Sequence, residues 1–237
     1  MKRQAFLIGG NYRNTDDWLP GVIADISAWQ EFLMSPYGGS WEKDEIWDLS
    51  ELSAEEIRVA LQTGRAVDYS LVCFSGHGYL TQDQWGFDLT MVWVDDVNKM
   101  SERELNPGSP WTMMILDCCR KREEKEKIAL ANEARRMHYW HNTRAFFEKE
   151  LLKCEKGLVK VYAADEEEGA DDERSFSRIL IEVAQHAVAN YPNGVLPINH
   201  AVALAKDEMP PQQNPVYRGG RRLHHFPFAV APGVIYP

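Results

Sequence analysis

No apolar run in these 237 residues approaches the roughly 18 that a membrane-spanning helix needs, so the chain is read as soluble, with no membrane partner. The basic start is followed by an apolar stretch, Ala5 to Ile8, that falls short of the roughly 7 to 15 residues of a signal h-region, and no export is expected. Positive charge is in deficit: 26 Lys and Arg stand against 36 Asp and Glu, a formal net charge of −10. Such a surface repels phosphate backbones, so nucleic acid is not an expected partner. Cysteine is scarce as well. Four residues (Cys73, Cys118, Cys119, Cys154) give no disulfide framework, neighbours such as 118 and 119 rarely bond to each other, and all four are read as reduced thiols in a cytoplasmic protein. Phosphate-binding glycine loops are also lacking. No GxGxxG or P-loop follows Gly9 and Gly10, which leaves a doubly wound phosphate-binding protein without a motif.

What is present is an ordinary globular composition, 44% apolar and 26% charged, in a chain long enough to bury one sizeable core. Short apolar runs alternate with helical patterns, and that order argues an α/β fold with a mostly parallel sheet and helices on both faces. Gln4 to Ile8 reads as a buried strand, followed by Val22, Ile26, Trp29 and Leu33 at helical spacing. Glu45 to Leu49 is a short strand, and Ser53 to Glu56 forms a capping box that opens a helix running to about Thr63. Tyr69 to Ser75 is a third strand, Met91 to Val94 a minor one, and Thr112 to Asp117 a near-continuous apolar run of the central parallel kind. Strand resumes at Leu158 to Ala164; helices are expected from Phe176 to about Ala189 and from Ile198 to about Lys206, and the Pro- and Gly-punctuated tail from Met209 reads as mostly loop.

The segment from Lys121 to Lys156 contains neither Gly nor Pro. As one helix it would reach about 50 Å, longer than its domain, so a break is expected near His138 to Asn142. Residues 1–237 are therefore read as a single domain with a charged helical insertion or linker at about 121–156, an ordered insertion being favoured by its apolar stripe at Leu130, Ala134, Met137, Phe147 and Leu151.

In open parallel sheets functional groups gather beyond the carboxyl ends of the strands. Two such ends carry chemistry. One strand runs into Ser75-Gly76-His77-Gly78, an imidazole between glycines; the other ends in Asp117-Cys118-Cys119-Arg120. If these strands are neighbours, a thiol and an imidazole share one crevice, the minimum for a cysteine nucleophile with a histidine acid and base.

FSGHG after one strand, followed at suitable spacing by LDCCR after another, resembles the caspase and metacaspase superfamily of cysteine peptidases. A caspase signature reads Gln-Ala-Cys, then Arg, Gln or Gly, with a His about 50 residues upstream, and it aligns Cys119 as nucleophile with Arg120 after it. Asp117 in place of Gln resembles metacaspases and paracaspases, where that acid belongs to a pocket for a basic P1 side chain. Leu19 to Asp25 resembles the metacaspase segment Leu-x-Gly-x-x-Asn-Asp, whose last Asp shares the pocket; Ala24 replaces the usual Asn. VYAAD, SFSRILIE, QQNPVYRGG and HHFPFA extend the likeness over most of the chain.

The resemblance implies a caspase-like three-layer sandwich. It further implies that His77 helps generate the Cys119 thiolate and protonates the leaving amine, that the N–H groups of Gly78 and Cys119 hold the oxyanion, and that Asp25 and Asp117 select Arg or Lys at P1. The implied partner is a protein substrate with a basic cleavage site, with a regulatory protein partner compatible and a signalling or defence role by family analogy. Many metacaspases need calcium, which leaves calcium activation open, but no EF-hand-like ligand spacing appears and no cofactor or metal site is assigned. The rival reading is a caspase-like module that has lost catalysis and serves as a regulatory scaffold.

Plainer readings stand beside these. A lone strand-end His is more often a structural hydrogen-bonder, and only pairing with Cys119 lifts His77 above that. Adjacent strand-end residues face apart, so only one of the two cysteines shares the cleft with His77, and the register of the resemblance gives that place to Cys119 and leaves Cys118 for the core; Cys73 reads as a buried hydrophobe, and Cys154 as a helical residue without partner. Asp25 reads equally as a partly buried pocket acid or as an exposed acid complementing the helix dipole. The acidic run Asp165 to Glu173 reads as a solvated surface, and His224 and His225 offer no zinc spacing.

Overall fold

A computed structural model describes residues 1–10, 19–95, 97–120, 143–166, 168–170 and 175–232. The elements run β1 (Arg3–Gly9), α1 (Gly21–Met34), β2 (Ile46–Asp48), α2 (Ala54–Gln62), β3 (Tyr69–Ser75), β4 (Gly78–Gln82), β5 (Asp88–Trp93), β6 (Lys99–Ser101), β7 (Trp111–Asp117), α3 (Arg144–Leu151), β8 (Gly157–Tyr162), α4 (Phe176–Ala187), β9 (Val195–Pro197), α5 (Ile198–Glu208), β10 (Val216–Arg218) and β11 (Pro227–Val230). Six strands form the central sheet in the order β10-β8-β7-β3-β1-β2, parallel throughout except for the antiparallel edge strand β10. The α/β fold with a mostly parallel sheet is what the sequence pattern leads one to expect.

The two central strands are buried except for the half-buried Trp111 that opens β7, and alternation sorts their side chains between two cores. Leu71 and Cys73 of β3, with Met113 and Ile115 of β7, pack with Trp29 and Phe32 of α1, Phe146 of α3, Leu180 of α4 and Ala201 of α5. Val72 and Phe74, with Met114 and Leu116, pack instead with Ile57 and Leu61 of α2 and with Val92 and Met100. Val92 and Met100 belong to a separate three-stranded antiparallel sheet, β4-β5-β6. Helices thus cover both faces, and the small sheet shares one of them with α2.

Local signals hold where they were strongest. Ser53 caps α2 as the capping box requires, its hydroxyl oxygen accepting the Glu56 N–H at 3.4 Å and its own N–H donating to Glu56 Oε2 at 2.9 Å. Other expectations need correcting. The minor strand at Met91 is the middle of the three-stranded sheet, and the tail contributes two strands: β10 extends the main sheet through β8, and β11 pairs with β9. Cys154 lies past the end of α3 rather than within a helix, and its thiol donates to the His225 carbonyl at 3.2 Å. Residues 121–142, which include the expected break and most of the insertion, lie outside the described residues.

Candidate active site

Strands β3 and β7 are parallel neighbours in register, with Ser75 opposite Asp117. The Gly76 N–H carries the ladder one step further by donating to the Asp117 carbonyl at 3.1 Å. Two residues beyond the Ser75–Asp117 pair, the two chains carry His77 and Cys119. These residues therefore leave the sheet at adjacent strand ends, where neighbouring backbones run about 4.8 Å apart. Both are partly exposed.

Alternation along β7 separates the two cysteines. Cys118 follows Met114 and Leu116 into the core beneath α2 and is 1% exposed. Burial pushes its thiol well above the ordinary range, which makes it inert as a nucleophile. Asp117, on the opposite face, meets the start of α4, and Cys119 continues that face. The free-thiol state holds for all four cysteines.

Close approach explains the glycines around His77. A Cβ on Gly78 would stand 2.7 Å from Cys118 Sγ and 3.0 Å from the Met91 carbonyl oxygen; one on Gly76, whose φ is +151°, would stand 3.0 Å from the Phe74 ring and 3.1 Å from the Gly10 backbone. His77 is pinned between them by its carbonyl, which accepts the Trp93 N–H at 3.0 Å.

The Cys119 sulfur meets the loop that follows β8: the Ala170 N–H donates to Sγ at 3.3 Å, and the Ala170 carbonyl oxygen lies 3.8 Å away. That loop is anchored. Glu168 takes the Asn214 N–H and Nδ2 at 2.7 Å each, and its own carbonyl accepts the Arg120 N–H at 2.9 Å. Arg120 is buried, stacks 4.2 Å from the Tyr162 ring centroid, and faces Glu166 at 3.9 Å. Glu166 and Glu168 of the acidic run are therefore structural partners, whereas Asp165 is exposed as the solvated reading expects.

The acidic pair is also assembled on this side of the sheet. Asp25, from the first turns of α1, is 1% exposed and Asp117 is 6% exposed. The buried reading of Asp25 is the correct one. Ser75 Oγ donates to Asp25 Oδ2 at 2.5 Å, while the Ser175 hydroxyl and the Ser177 N–H donate to Asp117 Oδ2 at 3.1 and 2.8 Å. Burial first, and the neighbouring Asp117 second, push the Asp25 carboxyl up to about 7; burial likewise raises Asp117. Arg178 Nε donates to Asp25 Oδ1 at 3.0 Å.

All five residues singled out from the sequence thus stand at one end of the sheet, with Gly78 opening β4 directly after His77. Sequence reasoning missed Arg178, Ser75, Ser175 and Ala170. One of them left a signal: Ser175 caps α4, and an arginine three residues on occupies a first turn that favours acids.

The family model of the peptidase C14 caspase domain matches residues 2–216. Among solved structures, caspase-1 of Spodoptera frugiperda superposes with a TM-score of 0.56 at 13% identity, over 92% of this chain and 86% of that one. A protein of Geobacter sulfurreducens gives a TM-score of 0.61 at 14% identity, over 97% of this chain and 99% of that one. At such identities both likenesses speak for the fold alone. No curated protein matches this sequence.

Proposed function

Because the chain belongs to the caspase domain family, whose members are cysteine peptidases, we propose that it is an endopeptidase that cleaves proteins after Arg or Lys with Cys119 and His77. The observation that carries this reading is the register of β3 and β7, which delivers one imidazole and one accessible thiol to neighbouring strand ends on the face that also holds two buried carboxylates. In the proposed reaction the Cys119 thiolate attacks the scissile carbonyl carbon, and the N–H groups of Gly78 and Cys119 stabilise the oxyanion that forms. His77 holds the thiol proton and passes it to the leaving amine. It then takes a proton from the water that hydrolyses the thioester, regenerating Cys119 and releasing the carboxylate. Carboxylates in the cleft favour a cationic P1 side chain by charge-assisted hydrogen bonding.

A single peptidase domain over the whole chain, a cytoplasmic location and a signalling or defence role belong to the same proposal, and calcium activation stays open within it. Among the described residues no helix is long and apolar enough to cross a membrane.

One observation favours the rival, non-catalytic module. Ala170 presents both its N–H and its carbonyl to Cys119 Sγ, so the sulfur that would attack a substrate is already engaged by the chain itself. Active peptidase requires that contact to open. A fluorogenic peptide panel with Arg, Lys, Asp or Leu at P1 decides between the readings: turnover confined to Arg and Lys supports the peptidase, and no turnover of any peptide supports the scaffold.

A further inference from the structure

We propose that the chain carries a second site, a basic pocket at Arg120 that takes the phosphoryl group of a small organic phosphate.

The pocket is a cavity of about 360 Å3 between the small sheet and the edge of the main sheet formed by β8 and β10, a volume at the lower end of small-molecule sites. It is separate from the cleft described above. Leu158, Lys160 and Tyr162 alternate onto the face of β8 that lines it, and Tyr162 belongs to the core of Leu116 and Cys118, whereas Asp117 and Cys119 lie on the opposite face.

Arg120 is the first argument. It is 2% exposed and lines the cavity, yet its Nη1 is buried with no hydrogen-bond partner among the described residues. The rest of its guanidinium is weakly held: Nε donates to Thr90 Oγ1 at 3.4 Å, and Nη2 stands 3.9 Å from Glu166 Oε1, beyond hydrogen-bond distance. A buried cation without a close counterion is costly, and an anion in the cavity supplies both the missing acceptor and the charge.

Charge balance is the second argument. Lys160 is paired with Glu102 at 2.6 Å, and that carboxylate also accepts the Tyr162 hydroxyl at 2.9 Å. Arg218 and Arg120, however, share Glu166, whose Oε1 lies 2.5 Å from Arg218 Nη2. Three cations thus meet two acids on this wall, in a chain whose net charge is −10. At the rim Arg103 is paired with Asp83 at 2.5 Å, and Asp88 is exposed, where solvent screens its repulsion of an anion.

The directions of the donors select the ligand. Arg120, Lys160 and Arg218 come from three backbones, the end of β7, β8 and β10. A phosphoryl group offers three terminal oxygens to donors arranged in this way, whereas a carboxylate offers two in one plane. Phe87, 66% exposed, also lines the cavity and provides an apolar surface for the organic part of the ligand.

The test is an NMR titration of the full chain with phenyl phosphate, inorganic phosphate and benzoate at fixed ionic strength, which reads binding whether or not the chain cleaves peptides. Phenyl phosphate is expected to saturate one site, with benzoate at least tenfold weaker. Arg120→Met and Arg218→Gln are each expected to weaken phenyl phosphate roughly tenfold or more, the scale of a hydrogen bond to a charged group. Phe87→Ser should weaken phenyl phosphate and leave inorganic phosphate unchanged. Arg58→Gln, on α2 and outside the cavity, should alter neither. Should Arg120→Met fail to fold, Arg218→Gln on the exposed edge strand carries the test alone. The proposal is overturned by a parent chain with no saturable phenyl phosphate binding, by folded pocket variants that bind as the parent does, by Arg58→Gln weakening the ligand as much as they do, or by benzoate binding as tightly as phenyl phosphate.

Discussion

Arg178 Nε lies 3.0 Å from Asp25 Oδ1, so one of the two acids that suggest a basic-specific pocket already holds a cation of the chain itself. The same contact ties the start of α4 to the start of α1.

This burial has a pH signature. Asp25 in the folded chain is pushed up to about 7, whereas an Asp in the unfolded chain loses its proton near 3.9, so between those values the folded state binds more protons. The stabilising share of this group is complete below the unfolded value and is lost as pH rises through the folded one. Urea midpoints should therefore fall between pH 5 and pH 8, and Asp25→Asn should flatten that decline. A parent chain whose Asp25-dependent stability rises over this range would contradict the assignment.

Replacing Asp117 by Asn keeps the size of the side chain and removes its charge. The kcat/KM for Arg and Lys peptides is expected to drop by about tenfold or more, with a much smaller change for uncharged P1 residues. Thermal melting should move little, because the Ser175 and Ser177 donors retain an oxygen to bond. Equal losses for every P1 residue would point to misfolding or to a general catalytic role instead.

Gly78 has room for a hydrogen and nothing larger. With a built Cβ 2.7 Å from Cys118 Sγ and 3.0 Å from the Met91 carbonyl oxygen, Gly78→Ala should cost about 1 to 3 kcal/mol, the range seen for overpacking. It should also displace the N–H assigned to the oxyanion. A variant with parental melting temperature and parental kcat would remove Gly78 from that role.

The parts legible in the sequence were those in which a local pattern and its structural cause coincide. Unbroken apolar runs made β3 and β7 visible as central strands, and the His and Cys at their ends stood out because chemistry concentrates beyond such ends. The α2 capping box is equally local. By contrast, β10 and β6 span three residues each, too few for a period to show, and β4 begins at a glycine straight after the FSGH segment, which masked it. Arg178 could not be assigned for a different reason. Its meaning arises only when α4 packs beside α1, and no spacing within SFSRILIE encodes the partner. The Ala170 contact likewise depends on where Glu168 and Asn214 hold a loop.

The central claim is that Cys119 is a nucleophile supported by His77, and a peptidyl-Arg chloromethyl ketone analysed by peptide mass spectrometry tests it most directly. The account predicts an adduct on Cys119 and none on the buried Cys118, with labelling suppressed in His77→Ala although that variant remains folded. A folded parent chain that takes up no label at Cys119 under any activating condition, calcium included, or an adduct formed equally well without His77, would contradict it.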